Sequence, residues 1–138
     1  MKHLIIIFGL VFFPPFSKIP PTKTIHVIVD GFKEKKGKLM VGIYNSEATF
    51  MKETYMGFAV EVIDTTLEFT FELPEDEYAI SVYHDANENN KLDIGPYGIP
   101  TESYGVSNNV KGNMGPPSFE ECKFAVTTDS MVLRINLF

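Results

Sequence analysis

From Thr24 to Asp30 the apolar residues Ile25, Val27 and Val29 fall at every second position. A period of two predicts a half-buried strand. Lys38 to Tyr44 repeats the pattern with Leu39, Val41 and Ile43, and the charged Gly31–Gly37 stretch between the two runs predicts a hairpin. Asn45 to Gly57 does not alternate. Phe50, Met51, Tyr55 and Met56 are spaced loosely as on a helix, so a loop with one helical turn is expected. Phe58 to Ile63 resumes strand character. Leu67 to Leu73 alternates most cleanly, with Leu67, Phe69, Phe71 and Leu73 facing inward and Glu68, Thr70 and Glu72 outward. After the turn Pro74-Glu75-Asp76, residues Tyr78, Ile80 and Val82 form the next inward face, which ends at His84. Lys123 to Thr127 and Met131 to Phe138 close the series, the last with Leu133, Ile135 and Leu137 on one face. About seven strands with short turns, no long amphipathic helix and no repeat predict an all-β fold, a single antiparallel β-sandwich. An eight-stranded closed barrel is the alternative.

Between Asp85 and Pro117 no strand period is visible, and Gly and Pro punctuate the segment throughout. A long loop of this kind in a compact domain carries function or is held by something. Ser118-Phe119-Glu120-Glu121 then has the form of a capping box opening a very short helix.

The loop begins with His84-Asp85-Ala86-Asn87-Glu88-Asn89-Asn90-Lys91-Leu92-Asp93. Oxygen-bearing side chains at alternate positions let a tight turn aim several oxygens at one point, which a hard cation requires. Set against an EF-hand loop, Asp85, Asn87 and Asn89 take positions one, three and five, Asn90 takes the turn position, Lys91 offers its backbone carbonyl and Asp93 takes position nine. Asn is the residue after Gly that best tolerates the left-handed turn. Pro96 stands where a bidentate Glu is expected, and no helix pattern flanks the loop. The motif is therefore a loop on a β-scaffold and not an EF-hand, with Glu88 and Glu102, and backbone carbonyls near Ile94 to Tyr97, as candidates for the remaining ligands. Calcium is the expected ion. Two certain carboxylates place its affinity in the weak range, about 10⁻⁴ to 10⁻³ M. Against this stands ordinary Asx-turn chemistry, in which Asn and Asp bond their own backbone and the loop orders itself without metal.

A second stretch, Tyr97 to Asn109, joins Tyr97 and Tyr104 to Asn108 and Asn109. Amphipathic aromatics beside amides form a candidate ligand surface for carbohydrate or for another envelope protein. The same stretch also reads as a loop pinned by its own aromatics.

Composition narrows the function classes. The net charge is −6 and the basic residues are unclustered, so a nucleic-acid surface is not expected. Met1-Lys2-His3 followed by the apolar run Leu4 to Phe13 has the form of a signal peptide over residues 1–20. Ten apolar residues are too few to span a bilayer, which takes about 20. Export to the periplasm or the outside is expected, with cleavage near Ser17–Lys18 and no transmembrane segment afterwards. Cys122 is the sole cysteine, which excludes an intramolecular disulfide and a Cys-based zinc site. It reads as a small buried hydrophobe. The few histidines, His3, His26 and His84, make no His-based zinc set, and no G-x-S-x-G elbow is present. His84 beside Asp85 does not form a base and its orienter, because adjacent strand residues point to opposite faces. His84 is expected to be half-buried at the strand end.

With these residues assembled, the chain resembles the family known as domain of unknown function 2141, exported bacterial proteins. The likeness rests on Glu75–Ile80, on the Asp85–Asp93 loop, on Gly98-Ile99-Pro100-x-Glu102-x-Tyr104-Gly105-x-Ser107-Asn108-Asn109, and on Gly115–Phe119. It spans about Thr24 to Phe138. Asn90 replaces the family's usual Gly, and Asp76-Glu77 stands where a Pro-Gly turn is common. The resemblance implies a secreted or periplasmic β-sandwich, immunoglobulin- or prealbumin-like, and no reaction. The leading expectation is a non-enzymatic exported domain whose calcium loop orders the Ile94–Pro117 segment. Two others are a hydrolase using Glu102 near Asp85 and Asp93 beside a metal-bound water, and an envelope domain with a purely structural role.

Overall fold

The computed structural model describes residues 18–138. The expected signal peptide thus lies, but for its last three residues, outside the described residues. Eight strands form among the described residues: β1 (Thr22–Asp30), β2 (Lys38–Tyr44), β3 (Met56–Glu61), β4 (Thr66–Pro74), β5 (Glu77–Asp85), β6 (Tyr104–Val106), β7 (Phe124–Ala125) and β8 (Ser130–Asn136). One short α-helix, α1, spans Phe119–Cys122, and single 3-10 turns form at Pro96–Gly98 and Ser107–Asn109. The strands make two sheets. One has the order β4-β1-β8, the other β3-β2-β5-β6, with β7 paired to the start of β5. This is a β-sandwich, and the core lies between the sheets. Ile25, Val27 and Val29 of β1 and Leu39, Val41 and Ile43 of β2 are buried there, the alternate positions that a period of two assigns. Phe69 and Phe71 of β4 pack against this core and meet Phe58 of β3 edge-on at 5.6 and 5.7 Å.

The expected β1–β2 hairpin does not form. β1 pairs antiparallel with β4 and parallel with β8, whereas β2 pairs with β3 and β5. Alternation identifies the buried face of a strand but not its neighbour. The Gly31–Gly37 connection crosses from one sheet to the other, and Phe32, buried, plugs it onto the core. The parallel β1–β8 pair also departs from a purely antiparallel sandwich. It joins strands about a hundred residues apart, Thr24 opposite Ser130.

A second, smaller cluster covers the outer face of the second sheet. Tyr44, Phe50, Ala79, Val106, Phe119 and Cys122 are buried in it. The Asn45–Thr54 segment supplies Phe50 from a loop that holds the single helical turn expected there, the Glu53 N–H donating to the Thr49 carbonyl at 2.9 Å. α1 supplies Phe119 and Cys122, and its capping box is complete. The Ser118 hydroxyl accepts the Glu121 N–H, and the Glu121 carboxylate accepts the Ser118 N–H. Cys122 is a buried hydrophobe, and burial pushes its thiol up to about 11. The thiolate is the reactive form. Cys122 in the folded protein is therefore expected to resist a thiol reagent at pH 8 and to react only after unfolding in denaturant. Prompt reaction of the native protein would contradict its burial. Because the folded pKa lies above the unfolded one, Cys122 stabilises the fold below pH 9, and that contribution is lost as pH rises toward 11.

Candidate functional site

β5 carries the chain out of the core to Asp85, whose partner across the ladder is Lys38 of β2. Asp85 is fully buried. Its carboxylate is held by the loop that follows: Oδ1 accepts the Asn89 N–H at 3.1 Å and Oδ2 the Asn90 N–H at 2.8 Å. Two nested Asx turns continue the coil. Asn87 Oδ1 accepts the Asn89 N–H at 3.2 Å, and Asn89 Oδ1 accepts the Lys91 N–H at 2.9 Å. Glu88 and Asn90 adopt left-handed φ of 56° and 60°, which lets so short a segment turn back on itself. The turn-forming role read for Asn90 is thus met by an asparagine in the conformation it tolerates best after glycine.

The coil brings its side chains to Asp93. Asn87 Nδ2 donates to Asp93 Oδ2 at 2.7 Å, and Asn89 Nδ2 to Asp93 Oδ1 at 2.8 Å. Glu102 reaches the same place from the far side of the following segment, its Oε2 accepting the Asp93 N–H at 3.1 Å. Of the residues read as candidate ligands, Asp85, Asn87, Asn89, Asp93 and Glu102 are therefore drawn into one connected cluster. Lys91 joins it through its backbone N–H, and Glu88 instead pairs with Lys38 at 3.6 Å. No three His, Cys, Asp or Glu side chains among the described residues cluster closely enough to hold a metal ion by themselves. A cation at this loop needs the Asn amide oxygens. A half-turn of an Asn amide exchanges its NH₂ for its oxygen in nearly the same volume. Turning Asn87 and Asn89 in this way would face two amide oxygens toward the Asp93 carboxylate.

The segment beyond the loop is less irregular than its sequence. Ile94 bridges to Pro100, and the Asp93 carbonyl accepts both the N–H of Thr101 at 2.9 Å and its hydroxyl at 3.2 Å. Tyr104–Val106 then pairs with Ser81–Tyr83 as β6, a strand too short for periodicity to reveal. Tyr97 is fully exposed, whereas Tyr104 is half-buried with its ring 6.2 Å from that of Phe138.

The asparagines expected on a ligand surface are spent on the protein's own backbone. Asn108 Nδ2 donates to the carbonyls of Glu121 and Lys123, at the C-terminal end of α1. Asn109 accepts the Asn136 N–H at 2.8 Å and donates to the Arg134 carbonyl at 3.0 Å, so one amide pairs with the open edge of β8 as a neighbouring strand would. Beside them the buried Ser107, to which the sequence assigned no role, accepts the Ile80 N–H at 2.9 Å and donates to the Cys122 carbonyl at 2.5 Å. Ser107-Asn108-Asn109 thus ties β5, α1 and β8 together. Its only sequence signal is a run of residues able to bond backbone.

His84 is buried rather than half-buried. Its Nε2 lies 2.7 Å from the Lys36 carbonyl, so that nitrogen carries the proton, and Phe32 meets the ring edge-on at 5.2 Å. The ring lines a cleft of about 220 Å³ with Glu34, Ala86, Glu102 and Ser103. Tyr83, half-buried, has its phenol pushed up by burial and then by the charges of Asp85 and Glu102.

Searches of curated proteins and of solved structures each returned no match. The family model described as "Uncharacterized protein conserved in bacteria (DUF2141)" matches residues 27–134, which take in both sheets, the Asp85–Asp93 loop and the Ser107–Asn109 clasp. The chain belongs to the DUF2141 family.

Proposed function

We propose that the protein is an exported, non-enzymatic β-sandwich whose Asp85–Asp93 loop takes a calcium ion weakly and so steadies the Ile94–Pro117 segment. One observation carries this reading. A fully buried carboxylate roots a loop in which Asn87 and Asn89 both converge on a second carboxylate, Asp93. Oxygens from Asp85, Asn87, Asn89 and Asp93, with Glu102 close by, make the hard donor set that calcium prefers. Turning the two amides forfeits the Asn89 bond to Asn87 and the Lys91 bond to Asn89, each worth about 1 kcal/mol, together with both amide bonds to Asp93, whose place the cation takes. That cost favours binding in the millimolar range. Calcium outside a cell reaches such concentrations, and the Leu4–Phe13 apolar run supports export. Glu102 is engaged by the Asp93 N–H, which favours a ligand-positioning role over that of a free catalytic base.

Calcium titration of the melting temperature tests the proposal. With a Kd of about 1 mM, 10 mM calcium stabilises the folded state by about 1.4 kcal/mol, a rise of roughly 5 °C. Magnesium, which keeps several waters, is expected to give less. A melting temperature that stays level through 10 mM calcium would rule the site out.

A further inference from the structure

We propose that the Ile94–Pro100 finger is a membrane-contact element, whose apolar tip enters the interfacial layer of a zwitterionic phospholipid bilayer. Nine large apolar residues are exposed among the described residues, and three of them, Ile94, Tyr97 and Ile99, fall within this one short segment. Tyr97 at its tip is 99% exposed. Single exposed apolar residues are ordinary, but a cluster of them marks a contact surface.

The finger is built to hold that tip out. The Ile94–Pro100 bridge closes its base, and Gly95 N–H donates to the Ile99 carbonyl at 2.8 Å. Pro96 and Pro100 stiffen its two arms. Tyr97 itself is held at a left-handed φ of 65°, a conformation costly for an aromatic residue. A chain that merely needed to turn could place glycine there, as it does at the next position.

Size and charge select the occupant. A stable protein interface takes about 20–30 residues on each side, far more than this finger offers. A bilayer accepts a convex apolar tip without a shaped pocket, and tyrosine suits its interfacial layer. The carboxylates of Asp93 and Glu102 stand at the finger's base, joined through the Asp93 N–H, and the chain carries a net charge of −6. Anionic lipid is therefore repelled, whereas the outermost group of a zwitterionic headgroup is a cation that faces these carboxylates. The inference does not depend on calcium at the loop.

The chain lacks tryptophan, so Tyr97→Trp places a single fluorophore at the tip. Mixed with phosphatidylcholine vesicles, this variant is expected to shift its emission to the blue and to be quenched by brominated lipid. Val132→Trp, on an exposed β8 position, should not be quenched. Adding Ile99→Ser to the Tyr97→Trp protein should weaken quenching about ten-fold with an unchanged melting temperature. Phosphatidylglycerol vesicles should quench less. Quenching should persist in EDTA, which separates this test from that of the calcium loop. Three results would overturn the proposal: an unshifted emission from the Tyr97→Trp variant, equal quenching of the Tyr97→Trp and Val132→Trp variants, or a dimer in vesicle-free sedimentation that Ile99→Ser dissolves.

Discussion

Gly37→Ala is expected to destabilise the protein by about 2–5 kcal/mol, combining the strain of a left-handed residue with overpacking. Gly37 has φ +70°, and a Cβ placed there would lie 2.3 Å from the Asp85 carbonyl oxygen and 2.8 Å from the Ala86 Cα. Both neighbours are backbone, so no rotamer change relieves the clash. The end of β5 must move, and with it the root of the Asp85–Asp93 loop. Gly98 provides the control. Its φ is +75°, yet nothing lies within 4 Å of the added carbon. Gly98→Ala should therefore show conformational strain alone, about 1–2 kcal/mol. Urea unfolding of the two variants side by side measures the difference. Equal losses would mean that the close approach at Gly37 carries no weight.

Asp85→Ala should cost about 2–4 kcal/mol, the range for removing a charged acceptor and leaving buried donors unpaired. The Asn90 N–H loses its acceptor, and the Asn89 N–H keeps only Asn87. The same variant should abolish the rise of melting temperature with calcium. Asp93→Ala separates the two effects. Asp93 is only half-buried, and its partners Asn87 and Asn89 are exposed and can turn to water. Its stability loss should be under about 1 kcal/mol, while the calcium response disappears as fully. A response that survives both substitutions would move the ion, if one binds, to another place. Chemical denaturation in EDTA and in calcium gives both readings from one set of samples.

These predictions depend on the structure to different degrees. Which side chains of β1, β2, β4 and β5 face inward was legible from alternation, because a strand buried on one face must alternate. β2 was read to its exact ends, Lys38 to Tyr44. The Asx loop and the α1 capping box were legible because each rests on side chains bonding backbone a few residues away. The hairpin between β1 and β2 was not a sound inference, because pairing is chosen by contacts far apart in the chain. β6 was invisible for a different reason. A three-residue strand has no period, and it exists because Ser81–Tyr83 offers it an edge.

The candidate site divides along the same line. Local spacing determined that Asp85, Asn87, Asn89 and Asp93 would share one turn, since residues so close in sequence have few ways to coil. Only the tertiary structure decided that Asp85 would be fully buried, that Glu102 would return to the Asp93 N–H, and that Gly37 would press against the loop's root. It also turned Ser107, Asn108 and Asn109 inward as a clasp between β5, α1 and β8. Short-range hydrogen bonds are written in the order of residues. Burial and long-range closure are set by how two sheets pack, and no local pattern encodes that geometry.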